Sequence, residues 1–132
     1  MASENIKQIL PVIYFSEAGI YNEIERFQNT TLRPILKYQN ELLCRLIIHH
    51  LMASDASFRQ QSSVIRKKQI AFYLKQNSSF KNLMLGVIIG YFTSEEFKFY
   101  QAHSKEVNKR ISSMALERIT TQYEAFLAPS YI

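Results

Sequence analysis

TTLRPILKYQNELLCRLIIHHLM, residues 30–52, is the stretch that decides the fold. Its Leu32, Ile35, Leu36, Leu42, Leu43, Leu46 and Ile47 recur at the spacing that gathers apolar side chains on one face of a helix. Arg33, Lys37, Glu41 and Arg45 step by four along the other side. Thr30 or Thr31 can cap the start, and Pro34 falls in the first turn, where its missing N–H costs nothing. The pattern predicts one helix over residues 31–52.

Working outward, residues 54–61 read as a polar loop. A second helix is predicted over 63–76, capped by Ser62 or Ser63. Its apolar members are Val64, Ile65, Ile70, Phe72 and Leu74, and its basic side is Arg66, Lys67, Lys68 and Lys75. Asn77, Ser78 and Ser79 break it. A third helix, 80–91, is apolar nearly all round, which predicts a buried central position. Gly86 and Gly90 form a G-x-x-x-G pair on it. The segment is too short to span a bilayer, so the pair predicts a neighbouring helix packed closely over the glycines. Thr93 with Glu96 makes a capping box. It opens a helix carrying Phe97, Phe99 and Tyr100, with a kink and restart near Ser104. The last helix then runs to about residue 127 through Val107, Ile111, Met114, Ala115, Ile119, Tyr123 and Phe126, and Pro129 ends it.

The beginning is the least legible part. Residues 1–28 are expected to form an arm on the helices. Ser16 and Glu17 can start a short helix through Ile20, Ile24 and Phe27, weakened by Gly19. Residues 29–132 are expected to form the bundle proper. The fold expected is all-α: a single-domain antiparallel bundle of four to five helices around a buried central one. The 132 residues, 47% of them hydrophobic, fit one domain with a core of its own.

Composition also excludes. The single cysteine, Cys44, forms no internal disulfide and no cysteine-based zinc cluster. It leans toward a reducing compartment. The longest apolar run, residues 83–92, falls short of the roughly 18 residues a span needs. Pro11 interrupts the apolar stretch near the start, and no cleavage pattern follows. The expectation is a cytoplasmic protein without membrane contact.

Charge is unevenly placed. Residues 1–55 sum to −1 and residues 95–132 to zero. Residues 56–94 carry Arg59, Arg66, Lys67, Lys68, Lys75 and Lys81 with no acid, for +6. An anion-binding site on basic residues would lie there. A helix-turn-helix reading fails, because its recognition helix would be the apolar 80–91.

Catalytic motifs are missing. His49 and His50 are adjacent and point about 100° apart on a helix, so they chelate poorly together. Cys44 has Ile47 and Ile48, not a base, one turn on. No nucleophile elbow or phosphate-binding loop is present. No cofactor and no metal are expected. The sharper signal is polar residues set into apolar faces: Gln39 and His50 on the first helix, Asn108, Arg118 and Gln122 on the last. Buried polar groups cost free energy unless paired. They predict either an internal network or a polar pocket between those two helices.

Residues 27–40, FQNTTLRPILKYQN, and 85–96, LGVIIGYFTSEE, followed by Tyr100 and Asn108-Lys109-Arg110, resemble a family of short bacterial proteins often labelled "glyoxalase". The resemblance covers residues 27 to 123. It places Arg33, Gln39, Asn108 and Arg110 within the motifs, as pocket candidates, and implies no catalytic set. The label is at odds with the residues. Glyoxalase I-type enzymes hold a metal with His and Glu on strands, and neither the strands nor the ligands are here.

Three functions are therefore weighed. The leading one is a non-enzymatic helical protein working through a protein partner or homo-oligomerisation. The second is anion or nucleic-acid binding through residues 59–81. The third is a small-ligand binder or enzyme built on Arg33, Gln39, His50, Asn108, Arg110, Arg118 and Gln122.

Overall fold

A computed structural model describes residues 22–128, and among them every regular element is helical. The expectations for residues 1–21 and for Pro129 lie outside the described residues. Helix α1 (Glu23–Phe27) starts at Asn22, whose side chain accepts the Glu25 N–H at 2.7 Å. The chain then continues without a break through a wider π turn (Gln28–Leu32) into α2 (Arg33–Tyr38). Pro34 accounts for the widening. Its ring crowds the carbonyl four residues back, and it has no N–H to give.

So Thr30 and Thr31 are not caps. Thr31 is buried, and its hydroxyl donates to Glu96 Oε2 at 2.8 Å. The helix expected over 31–52 is also two pieces. Gln39, at φ −95° and ψ 14°, separates α2 from α3 (Asn40–Ser54). Gln39 stands four residues from both Ile35 and Leu43, on the buried stripe. The bend leaves its amide half-exposed instead of sealed in the core.

Helix α3 buries Leu43, Cys44, Ile47, Ile48 and Leu51. A short 3-10 turn (Phe58–Gln60) follows and buries Phe58 completely. Helix α4 (Ser63–Gln76) is capped by Ser62 and buries Ile70 and Leu74. Asn77 ends it and at once caps α5 (Ser78–Ile89), accepting the Phe80 N–H at 2.8 Å. Helix α6 (Ser94–Gln122) opens on the expected capping box. Thr93 Oγ1 accepts the Glu96 N–H, and Glu96 Oε1 accepts the Thr93 N–H. It bends at His103, next to the expected restart at Ser104. A final 3-10 turn (Tyr123–Phe126) seats Tyr123 in the core.

The centre of the bundle is α6, since α3, α4 and α5 all pack on it. Val107, Ile111, Ala115 and Ile119, stepping by four, are fully buried. This corrects the expectation for 80–91. Helix α5 buries only Phe80, Met84 and Ile88, while Leu83 stays 43% exposed. Apolar composition on every side did not bring burial on every side. The glycine expectation is corrected with it. A Cβ added at Gly86 meets nothing within 4 Å, and at Gly90 only the helix's own carbonyls. The glycines are exposed, and no described helix covers them.

The two quoted motifs meet in space. Phe27 stands edge-on to Phe92 with ring centres 5.4 Å apart, and Tyr38 meets Tyr91 at 5.7 Å. With the Thr31–Glu96 bond, these contacts hold α1 and α2 against the start of α6.

Candidate functional site

The site is a polar pocket of about 250 Å³ between the α1–α2 segment and the last turns of α6. Gln28, Arg33 and Leu36 line one wall. Met114, Glu117, Arg118, Thr121 and Gln122 line the other. The α6 residues share a side because they recur every three to four positions, beside the buried stripe that ends at Ile119. The π turn presents Gln28, and Pro34 fixes the start of α2 that carries Arg33.

Hydrogen bonds order the first wall. Arg110 Nη1 donates to Gln28 Oε1 at 2.7 Å, and Arg110 Nε to Glu106 at 3.3 Å. Arg33 Nη2 donates to Asn29 Oδ1 at 3.1 Å. Arg118 is different. It is half-buried and lines the pocket, and its guanidinium makes no hydrogen bond or ion pair with any described residue. Beneath it lies Cys44, fully buried. Burial pushes the thiol up to about 11, and the Arg118 charge pulls it partway back. The sulfur therefore stays protonated at neutral pH and serves as packing, not as a nucleophile.

The structure thus brings together three of the seven pocket candidates, Arg33, Arg118 and Gln122, with Arg110 one bond behind them. The other three are elsewhere. Gln39 sits at the α2–α3 bend. The Nδ1 of His50 is 3.2 Å from the Tyr73 hydroxyl, and its ring lies against Phe80 at 5.0 Å. Asn108 accepts the Tyr100 hydroxyl at 2.9 Å. His50 and Asn108 each meet a tyrosine, not each other or the other polar candidates. Gln28, Glu117 and Thr121 were missed. The last two follow from the same three- and four-residue spacing that marks Arg118 and Gln122. Gln28 lies in the quoted stretch 27–40, but residues 1–28 read as an arm and gave it no pocket role.

The basic segment does not form one patch. Arg59 Nε donates to the Leu127 carbonyl at 2.7 Å. Arg66 turns inward, donating to the Tyr123 hydroxyl at 3.0 Å and to the Gln61 carbonyl. Lys67, Lys68 and Lys75 are exposed on α4. Lys75 and Lys81 border one small recess with Leu74 and Ser112. Two of the six cations are therefore structural ties.

A wider recess of about 570 Å³ lies around Asn22, Arg26, Phe27 and Phe99. It opens where the described chain begins, so no site is built on it. Among the described residues, no cluster of three or more His, Cys, Asp or Glu is placed to hold a metal. No helix of the described residues is long and apolar enough to cross a membrane. No family model, curated protein or solved structure matches the chain.

Proposed function

We propose that this chain is a non-enzymatic binding protein that holds a small carboxylate or phosphate in the Arg33–Arg118 pocket. The observation that carries this reading is the Arg118 guanidinium, half-buried at the pocket wall and bonded to no described residue. A guanidinium offers five donors in a planar fork that matches carboxylate and phosphate oxygens two at a time. Arg33 adds a second cation, and Gln28, Thr121 and Gln122 add neutral polar groups. Among the described lining residues Glu117 is the one acid against Arg33 and Arg118, which leaves that lining net positive. Size limits the ligand. About 250 Å³ is below the roughly 300–1,000 Å³ that drug-sized ligands occupy. A phosphate ion or a short carboxylic acid suits it better than a nucleotide. A cytoplasmic setting, supported by the lone thiol, goes with this reading.

Calorimetric titration with phosphate, acetate and citrate tests it. One of these is expected to bind with one-to-one stoichiometry. Arg118→Gln should weaken that binding at least about ten-fold, the worth of one charge-assisted hydrogen bond. Equal affinity in the variant contradicts the proposal.

A second reading, action through self-association, is favoured by one surface. Tyr38, Leu42 and Leu83 are 44%, 42% and 43% exposed. The Tyr38–Tyr91 ring contact joins the end of α2 to the residues after α5, and the His50–Phe80 contact joins α3 to the start of α5. Gly86 and Gly90 lie on the same side of α5 as Leu83, and both are exposed. A second copy can cover these apolar groups. Sedimentation velocity should show a concentration-dependent dimer that Leu83→Glu dissociates. A monomer at every concentration removes this reading.

A further inference from the structure

The outward face of α4 is unlike the rest of the surface. Val64 is 63% exposed and Phe72 69%, with Ile65 beside them at 45%. Lys67, Lys68 and Lys75 are exposed on the same helix, which carries no acid. At 100° per residue, these six side chains fall within about half the circumference of the helix. Ile70 and Leu74, the buried residues of α4, anchor it to the bundle beyond the Lys67 edge of that arc. Of the other large polar side chains, Gln76 is exposed and Gln69 donates to Asp55, while two turn inward. Arg66 bonds Tyr123, and Tyr73 meets His50. Folding therefore leaves three large apolar groups in water, interleaved with three lysines.

We infer that this face docks on an anionic lipid bilayer surface. An interfacial helix needs apolar side chains that enter the acyl boundary and cations that sit at the phosphates. Lysine suits that place, because its long stem lies along apolar matter while its ammonium stays at the headgroups. Missing span length, on which the expectation of no membrane contact rested, bears on crossing a bilayer and not on lying against one.

Charge complementarity decides among occupants. A second copy docked by the same face would set Lys67, Lys68 and Lys75 against their own equivalents. Nucleic acid is recognised first through phosphates, with arginine favoured. Both arginines of this basic segment are tied into the fold. Val64 and Ile65 also have no planar ring to stack on bases. An anionic bilayer uses both halves of the face, the lysines and the exposed hydrocarbon.

Flotation with phosphatidylcholine vesicles, and with vesicles that also contain phosphatidylglycerol, tests this on the full chain. The protein should float with the anionic vesicles only, and high salt should weaken the association. Lys68→Glu should weaken it at least about ten-fold, since each charge near the surface is worth roughly five-fold. Phe72→Asp should do the same. Lys109→Glu, the same charge change on exposed α6 surface, should change it less than about two-fold, on the same basis of distance from the membrane. All three positions are exposed, so circular dichroism should show the helical fold unchanged. The inference is overturned by no flotation with anionic vesicles, by equal flotation with neutral ones, or by indifference to Phe72→Asp. It is equally overturned if Lys109→Glu matches Lys68→Glu, or if single-stranded RNA binds and competes while Phe72→Asp leaves that binding intact.

Discussion

Phe58→Ala is expected to cost about 3–5 kcal/mol of stability and to lower Tm by roughly 10–20 °C. The residue lies in the 3-10 turn between α3 and α4, and its ring is fully buried in the main core. The turn packs on α3. Truncation removes the transfer energy of the ring and leaves a cavity that neighbouring helices cannot close without moving. The substitution also releases the linker, so α4 loses an anchor at its start. Urea unfolding followed by circular dichroism measures the effect. A loss under about 1 kcal/mol would mean that the turn is not part of the core.

Arg66→Ala should cost about 2–4 kcal/mol, although it replaces a charged residue in a basic segment. The guanidinium donates to the Tyr123 hydroxyl at 3.0 Å, to the Gln61 carbonyl, and to the Arg59 carbonyl at 3.5 Å. It also lies over the Tyr123 ring, 5.7 Å from its centre. Tyr123 is fully buried, so its hydroxyl would be left without this donor in a place water does not readily reach. Arg66→Lys should recover only part of the loss, because an ammonium cannot reproduce the planar fork. If Arg66 instead served a surface anion, alanine would leave the melting temperature within about 1–2 °C of the parent, as for ordinary surface changes. A thermal scan of both variants separates the two roles.

These two residues show where the sequence was legible. Elements with a periodic or local chemical signal were read correctly: the Thr93 capping box, the bend beside Ser104, and the stripe of Val107, Ile111, Ala115 and Ile119. Phe58 sits alone among polar neighbours, and a single aromatic has no period to reveal it. Arg66 looks like its neighbours Lys67 and Lys68. Only the helix angle, which turns it toward Tyr123, sets it apart. The misplaced centre has a different cause. Residues 80–91 are apolar all round, a pattern that predicts burial. Yet burial depends on how many elements surround a helix, and the longest helix, α6, has the length to touch the others.

The pocket was legible in halves. Arg118 and Gln122 stood out as polar residues beside an apolar stripe, and Arg33 came through the motif resemblance. Gln39, His50 and Asn108 gave the same signal. His50 and Asn108 have partners within the fold, and Gln39 lies at a bend. A polar residue on an apolar face reports that something must satisfy it. Whether that is a neighbour, solvent or a ligand depends on contacts between helices distant in sequence. Gln28 and Arg110, 82 positions apart, are such a pair.

The central claim is that the Arg118 guanidinium, bonded to no described residue, holds a small anion. It is tested most directly by following the arginine side-chain N–H signals by NMR during titration with phosphate and with short carboxylates. The Arg118 signal should move along a saturable curve, with Arg33 following and with Arg59 and Arg66, which are tied into the fold, staying still. Linear, unsaturable drift of all the arginines together, or no movement at Arg118, would contradict it.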